Sequence, residues 1–227
     1  MDTSTPRTGV DAAQLDPVCS LGDPTRRRLY DYVVAQLEPV TRDQASSDLD
    51  IDRSTVAYHL DKLVDEGLLA ASFARPAGRS GPGAGRPAKH YERSGREFAV
   101  SVPPRDYRLA AELLARAAEA DTTGTVRQAL DRAAEDLGRE LATDEGDSSR
   151  DLLEHLARQG FEPYADGDVI RLRNCPFHRL ARQHTELVCG MNLTMLTAVT
   201  QATGSAFEAR LDPAPDRCCV AFVPTGD

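Results

Sequence analysis

Four of the five cysteines lie in the last third of the chain, at Cys175, Cys189, Cys218 and Cys219. Thiolates are soft donors. Three or four of them, brought together from separate elements, can bind an iron–sulfur cluster, zinc or copper(I). His178 and His184 lie between the first two cysteines and are candidates for a fourth ligand. The spacing, with 13 and then 28 or 29 intervening residues, is not the paired Cys-x-x-Cys signature of zinc sites. Spacing alone therefore leaves two readings open: ligation, or four semi-buried thiols without chemistry. Cys19 reads as a small buried apolar residue. A thiol enzyme using Cys175 with His178 or His184 is disfavoured, because no third orienting residue and no oxyanion motif accompany them. No enzymatic activity is expected.

A second set of side chains points to a different partner. Arg53, Ser54, Thr55, Tyr58, His59 and Lys62 share one face of a short segment. Side chains of these types reach base edges and phosphates in a major groove. A merely solvated surface helix has a similar face, so the flanking sequence must decide. Behind it, residues 75–96 hold six basic side chains and one acidic, although the whole chain carries −9. Arg79, Arg86 and Lys89 can track a phosphate backbone, and Gly85-Arg86-Pro87 can lay an arginine into a narrow minor groove. A local basic patch is what meets phosphates, so the acidic total does not exclude DNA.

The elements that must position these groups follow from local signals. Thr41 is an N-cap, with Ala45 and Leu49 inward on the first helix of a pair. Asp50-Ile51-Asp52 breaks it, and Asp52 caps the second. Val56, Leu60, Leu63 and Val64 form the buried stripe of that second helix, and Gly67 ends it in a left-handed cap. Ala70 to Arg75 and Ala88 to Arg93 are strands of a hairpin whose tip, Pro76 to Pro87, is too rich in Gly and Pro for regular structure. A helix-turn-helix followed by a basic hairpin is a winged helix; a flexible linker is the plainer reading of the tip. Upstream, Asp16 to Leu37 reads as a helix with a start or kink at Leu21 to Pro24, and with Leu29, Val33 and Leu37 on one stripe. Residues 1–15 are expected to be disordered.

Arg105 to Ala120 and Thr125 to Ala142 read as amphipathic helices, carrying Leu109, Leu113, Leu114 and Ala117, then Val126, Leu130, Ala133, Leu137 and Leu141. Such helices beside a winged helix often pair two subunits, and dimers match two-fold operators. Beyond the polar linker Asp144 to Ser149, the order helix, strand, strand occurs twice. The elements are Arg150 to Gln159, Phe161 to Tyr164, Val169 to Arg173, then a helix from about Met191 to Ala202, Ala206 to Leu211 and Cys218 to Val223. This pattern predicts a small α+β domain with a four-stranded sheet. Strand alternation puts Cys218 with Val220 and Phe222 toward the core, and Cys219 with Ala221 on the other face. Carried onward from Ile170 and Leu172, it pairs Cys175 with Cys219.

The domain plan is thus residues 16–100 for the winged helix-turn-helix, 104–144 for a helical dimerisation region, and 148–224 for an α+β cysteine-bearing domain with an antiparallel sheet. The N-terminus has no apolar run of a signal peptide. No stretch approaches eighteen apolar residues, so no membrane span is expected. A cytoplasmic protein is expected, where cysteines seldom form structural disulfides.

The segments SLGDPTRRRLYDYV, STVAYHLDKLVDEGLL and GRPAKHYERS resemble the winged-helix bacterial repressors grouped around the ArsR and DeoR families. NCPFHRLARQHTELVCGMN and RCCVAFVP resemble the SufR branch, iron–sulfur-sensing repressors of cluster-assembly genes. The resemblance runs from Pro17 to Pro224. It implies a homodimer with a [4Fe–4S] cluster on three cysteines per subunit. The cluster-bound form holds a double-stranded DNA operator and represses; loss of the cluster releases it. By position the ligands are Cys175, Cys189 and one of Cys218 or Cys219, with the fourth unassigned. Zinc, or a small organic ligand, in the C-terminal domain is the alternative.

Overall fold

Two units make up the chain, residues 1–105 and 106–227. The structure is a computed structural model, and it describes residues 12–74, 87–101, 105–143, 152–214 and 217–226. Arg79 and Arg86, and most of the expected hairpin tip, lie outside the described residues.

In the first unit the helix expected over Asp16 to Leu37 is two helices, α1 (Ala12–Ser20) and α2 (Pro24–Ala35). The break has a local cause. Asp23 caps α2 by accepting from the Arg26 amide at 2.8 Å, and Pro24 occupies the first turn, where its missing N–H costs nothing. α1 begins at Ala12, so residues 12–15 are ordered helix and not the disordered tail expected. Leu29 and Val33 are buried, but Leu37 lies past the helix end and is exposed, as is Cys19. The buried reading of Cys19 is therefore wrong.

α3 (Arg42–Leu49) starts with a complete capping box: Thr41 Oγ1 accepts from the Gln44 amide, and Gln44 Oε1 accepts from the Thr41 amide at 2.8 Å. α4 (Arg53–Asp65) is capped by Asp52, which accepts from the amides of Ser54 and Thr55. Gly67 then turns the chain at φ +77°. That left-handed backbone is what favours glycine here; the Arg96 guanidinium beside it could swing away from a Cβ. β2 (Leu69–Ala74) and β3 (Ala88–Arg93) pair antiparallel, Leu69 opposite Arg93. β1 (Val40–Thr41) adds a third strand on the other side of β3. Leu29, Val33, Ala45, Val56, Leu60, Leu63, Leu69 and Tyr91 form the core beneath. Its burial is the main force holding the three helices on the sheet.

The second unit contains α5 (Tyr107–Ala120), α6 (Thr125–Thr143), α7 (Leu152–Arg158), β4 (Pro163–Asp166), β5 (Val169–Leu172), α8 (His178–Ala181), α9 (Thr185–Ala202), β6 (Phe207–Leu211) and β7 (Val220–Pro224). The four strands form one antiparallel sheet in the order β4-β5-β7-β6, as the repeated pattern predicts. α9 packs on the sheet through Leu196 and Val199, against Phe161, Leu172, Val220 and Phe222. α6 packs on α9 and comes so close at Gly138 that a Cβ there would lie 2.3 Å from the Met195 carbonyl oxygen.

Candidate nucleic-acid interface and cysteine centre

α4 owes its position to one buried stripe. Val56, Leu60 and Leu63 are fully buried, which turns Arg53, Tyr58 and Lys62 outward. Tyr58 is 63% exposed and packs edge-on against His59, with ring centroids 5.1 Å apart. His59 Nδ1 accepts a long hydrogen bond, 3.4 Å, from Arg26 Nε of α2. Ser54 donates its hydroxyl to Asp52 at the cap, and Thr55 is half-buried beside it. Lys89 stands on β3, close to the same face, and the six residues expected on α4 are joined there by Arg26.

The cations of this face are not bare. Arg53 is ion-paired with Asp43 of α3. Lys62 Nζ lies 3.0 Å from Glu66, one turn on. Lys89 Nζ donates to Asp61 Oδ1 at 2.6 Å, and the buried Tyr91 hydroxyl donates to the same oxygen at 2.9 Å. Each pair shifts its members. The Arg53 guanidinium holds the Asp43 carboxyl below the ordinary carboxylate range, and Glu66 raises Lys62. Burial pushes the Tyr91 phenol up, and Asp61 pushes it further. Asp61 is itself held down by Lys89 and Tyr91, against the opposing effect of burial. Carboxylates three or more residues from a basic side chain in sequence give no pairing signal when they sit on another element, and Asp43 and Asp61 were missed for that reason.

In the second unit the four cysteines meet. Cys175 follows β5 by three residues, Cys189 sits one turn inside α9, and Cys218 and Cys219 lead into β7. The Cys218 amide donates to Leu172 O at 3.0 Å, and Cys219 O accepts from the Asp212 amide at 2.7 Å, so the doublet is held between β5 and β6. Cys175 and Cys219 lie near enough to Cys218, and Cys189 to Cys219, for each to shift the other's titration. Cys175 and Cys219, with help from the Val220 amide and Asn192, lower Cys218 far below an ordinary thiol. The same proximity and burial push Cys175 and Cys219 up.

Two expectations change here. Alternation paired Cys175 with Cys219, whereas the neighbour that shifts the Cys175 thiol most is Cys218. β5 ends at Leu172; the backbone then bends as the Asn174 amide donates to Phe161 O, so the two-residue period does not reach Cys175. Cys189 was expected before a helix starting near Met191. The helix starts at Thr185, so Cys189 and Asn192 lie three apart on one face of α9.

The histidines face elsewhere. His178 is exposed at the start of α8. His184 is 6% exposed; its Nε2 lies 3.2 Å from Glu112 Oε2 and its Nδ1 2.8 Å from Glu119 Oε2. The second contact is an ion pair lying off the ring N–H direction. Glu119 first, and Glu112 with it, raise His184 above an ordinary histidine. Arg116 and His184 hold Glu112 down. His184 thus ties the start of α9 to α5.

By chemistry the donor set fits a soft metal centre: four thiols come from three elements, and one of them, Cys218, meets a buried amide, Asn192, whose Oδ1 has no hydrogen-bond partner among the described residues. Among the described residues no group of three or more His, Cys, Asp or Glu is disposed about a ready-made ion position.

Residues 21–70 match a family of helix-turn-helix domains. The match spans α2, α3 and α4 and ends in β2. No curated protein and no solved structure matches the chain. The match supports a DNA-binding regulator built on a helix-turn-helix domain. No helix among the described residues is long and apolar enough to cross a membrane.

Proposed function

We propose that the chain is a homodimeric transcriptional repressor of iron–sulfur assembly genes, whose C-terminal unit senses cluster status. One feature carries this reading: four thiols from three separate elements lie near one another, Cys175 and Cys218 buried and Cys189 and Cys219 half-buried. Cys175, Cys189 and one of Cys218 or Cys219 would hold a [4Fe–4S] cluster. When bound, such a group supplies redox and oxygen sensitivity that thiols alone lack. The chain's own residues supply the rest. Cys189 lies one turn from His184, and His184 is paired to α5, so a change at the sulfurs acts on α5 through one salt-bridged contact. α5 and α6 expose Leu109, Leu113, Leu114, Val126 and Leu137. Exposed apolar side chains of this kind support pairing with a second copy. Repositioned α5 helices would alter the spacing of two α4 helices, and so the population able to bind an operator. The basic hairpin carrying Lys89 would act as a wing on the phosphate backbone.

Zinc is the second reading, because four thiolates are also a tetrahedral zinc set. Anaerobic purification separates them. Stoichiometric iron and acid-labile sulfide with broad visible absorption are expected. A colourless protein with stoichiometric zinc overturns the cluster.

A further inference from the structure

A buried asparagine in an apolar core normally satisfies its amide at both ends. Asn192 does not. It is 1% exposed and stands among Met195, Leu196 and the sheet side chains on the inner face of α9. Its Nδ2 donates to Cys218 Sγ at 3.5 Å, and its Oδ1 has no partner among the described residues. A leucine of similar size would fill the same space without leaving an acceptor unmade. The fold therefore gives no reason for an amide here, and the cysteines do: Asn192 is one turn beyond Cys189, on the same face.

The doublet offers two sulfurs for one role. Cys218 is 3% exposed, and the Asn192 side-chain N–H donates to its sulfur. Cys219 is half-buried and lacks the amide. We propose that Asn192 is a positioning residue of the cysteine centre, whose side-chain N–H holds Cys218 and selects it over Cys219 as the ligand to a soft metal or iron–sulfur cluster. This rests on the metal-centre reading given above. An N–H donated to a ligand sulfur fixes its direction and offsets its charge, and removal of such a supporting group costs about 10–100-fold in metal affinity.

The test is an anaerobic cobalt(II) titration of the full, metal-free chain, read by sulfur-to-cobalt charge-transfer absorption, with the thermal midpoint of the metal-free protein measured alongside. Asn192→Leu is expected to weaken cobalt(II) binding about 10–100-fold, while the metal-free midpoint stays level or rises. Cys218→Ser is expected to lose more affinity than Cys219→Ser, and Asn192→Leu to erase that difference. Asn192→Ala, which leaves a space, controls for packing: it lowers both readings. If Asn192→Leu binds as the wild type does, or if Cys219→Ser loses as much as Cys218→Ser, the assignment is overturned and the centre stands. If Asn192→Leu loses midpoint in step with affinity, Asn192 is only a structural residue. If the wild type shows no sulfur-to-cobalt absorption, the metal-centre reading falls, and this one with it.

Discussion

The two units place their chemistry differently. In the N-terminal unit the core is complete without the reading face: Leu60 and Leu63 hold α4, and Tyr58 and Lys62 point the other way. In the C-terminal unit the chemistry is inside the core, for Cys175 and Cys218 belong to the same buried cluster as Phe161, Leu172 and Phe222. The lesson concerns separability. A face that projects from a finished core can change without the fold noticing. A site that is part of the core cannot.

The strongest way to break this contrast is to substitute one residue from each site. Cys218→Ser should weaken metal uptake and also destabilise the metal-free unit by about 1–3 kcal/mol, the cost of burying a hydroxyl without good partners. Tyr58→Ala should weaken DNA binding and leave stability within about 0.5 kcal/mol, as exposed sites do. Chemical denaturation of the full chain, followed by a DNA-binding titration, reads both. A stable Cys218→Ser protein, or an unfolded Tyr58→Ala protein, would remove the distinction.

Next in size is the contact that carries α6. Gly138→Ala gains about 1 kcal/mol in helix propensity. It also puts a Cβ against the Met195 carbonyl and Ala198, and overpacking of this kind costs about 1–3 kcal/mol. Net destabilisation of the C-terminal unit is expected, seen as a lowered thermal midpoint, with the DNA-binding unit unmoved. Stabilisation would mean that α6 rides on α9 loosely enough to shift.

Legibility in the sequence divides along the same line. Thr41, Asp52 and Gly67 act on backbone groups within three or four residues, so the helix-turn-helix is readable residue by residue. The hairpin strands are similarly local. β1 is two residues long and exists only because β3 is beside it. The four-stranded sheet was readable from alternation, yet the cysteine contacts were not. They depend on a bend after Leu172 and on a helix that starts at Thr185 with no side-chain cap to announce it. Asn192 carried no signal: a single polar residue in an apolar helix has meaning only once its neighbours are known.

A smaller effect tests the link between the sulfurs and α5. His184 is raised above its ordinary value by Glu119 and Glu112, with Arg116 on the same helix competing for Glu112. A group with a raised folded value contributes stability that is complete below the unfolded value, about 6.5 for histidine, and that disappears as pH rises through the folded value. The thermal midpoint of the C-terminal unit should therefore decline from about pH 6.5 upward more in the wild type than in His184→Gln. Parallel profiles would show that the contact between α5 and α9 does not depend on this charge.

The smallest expected change lies on the reading face, and it runs in the favourable direction. Asp43 holds Arg53, and both are largely exposed. An exposed pair contributes little to folding, so Asp43→Asn should leave the thermal midpoint nearly unchanged. Its effect is on DNA. A carboxylate beside Arg53 competes with phosphate for the guanidinium and adds a repelling charge of its own. Neutralising it should raise affinity a few-fold at low salt. If Arg53 gains a phosphate as a result, the slope of log affinity against log salt steepens by about 0.9. A gain in affinity without a change in slope would instead mean that Arg53 already meets phosphate and Asp43 acts only at long range. Unchanged affinity would show that the pair opens at no cost, and that the face is as free to change as the contrast with the cysteine centre requires.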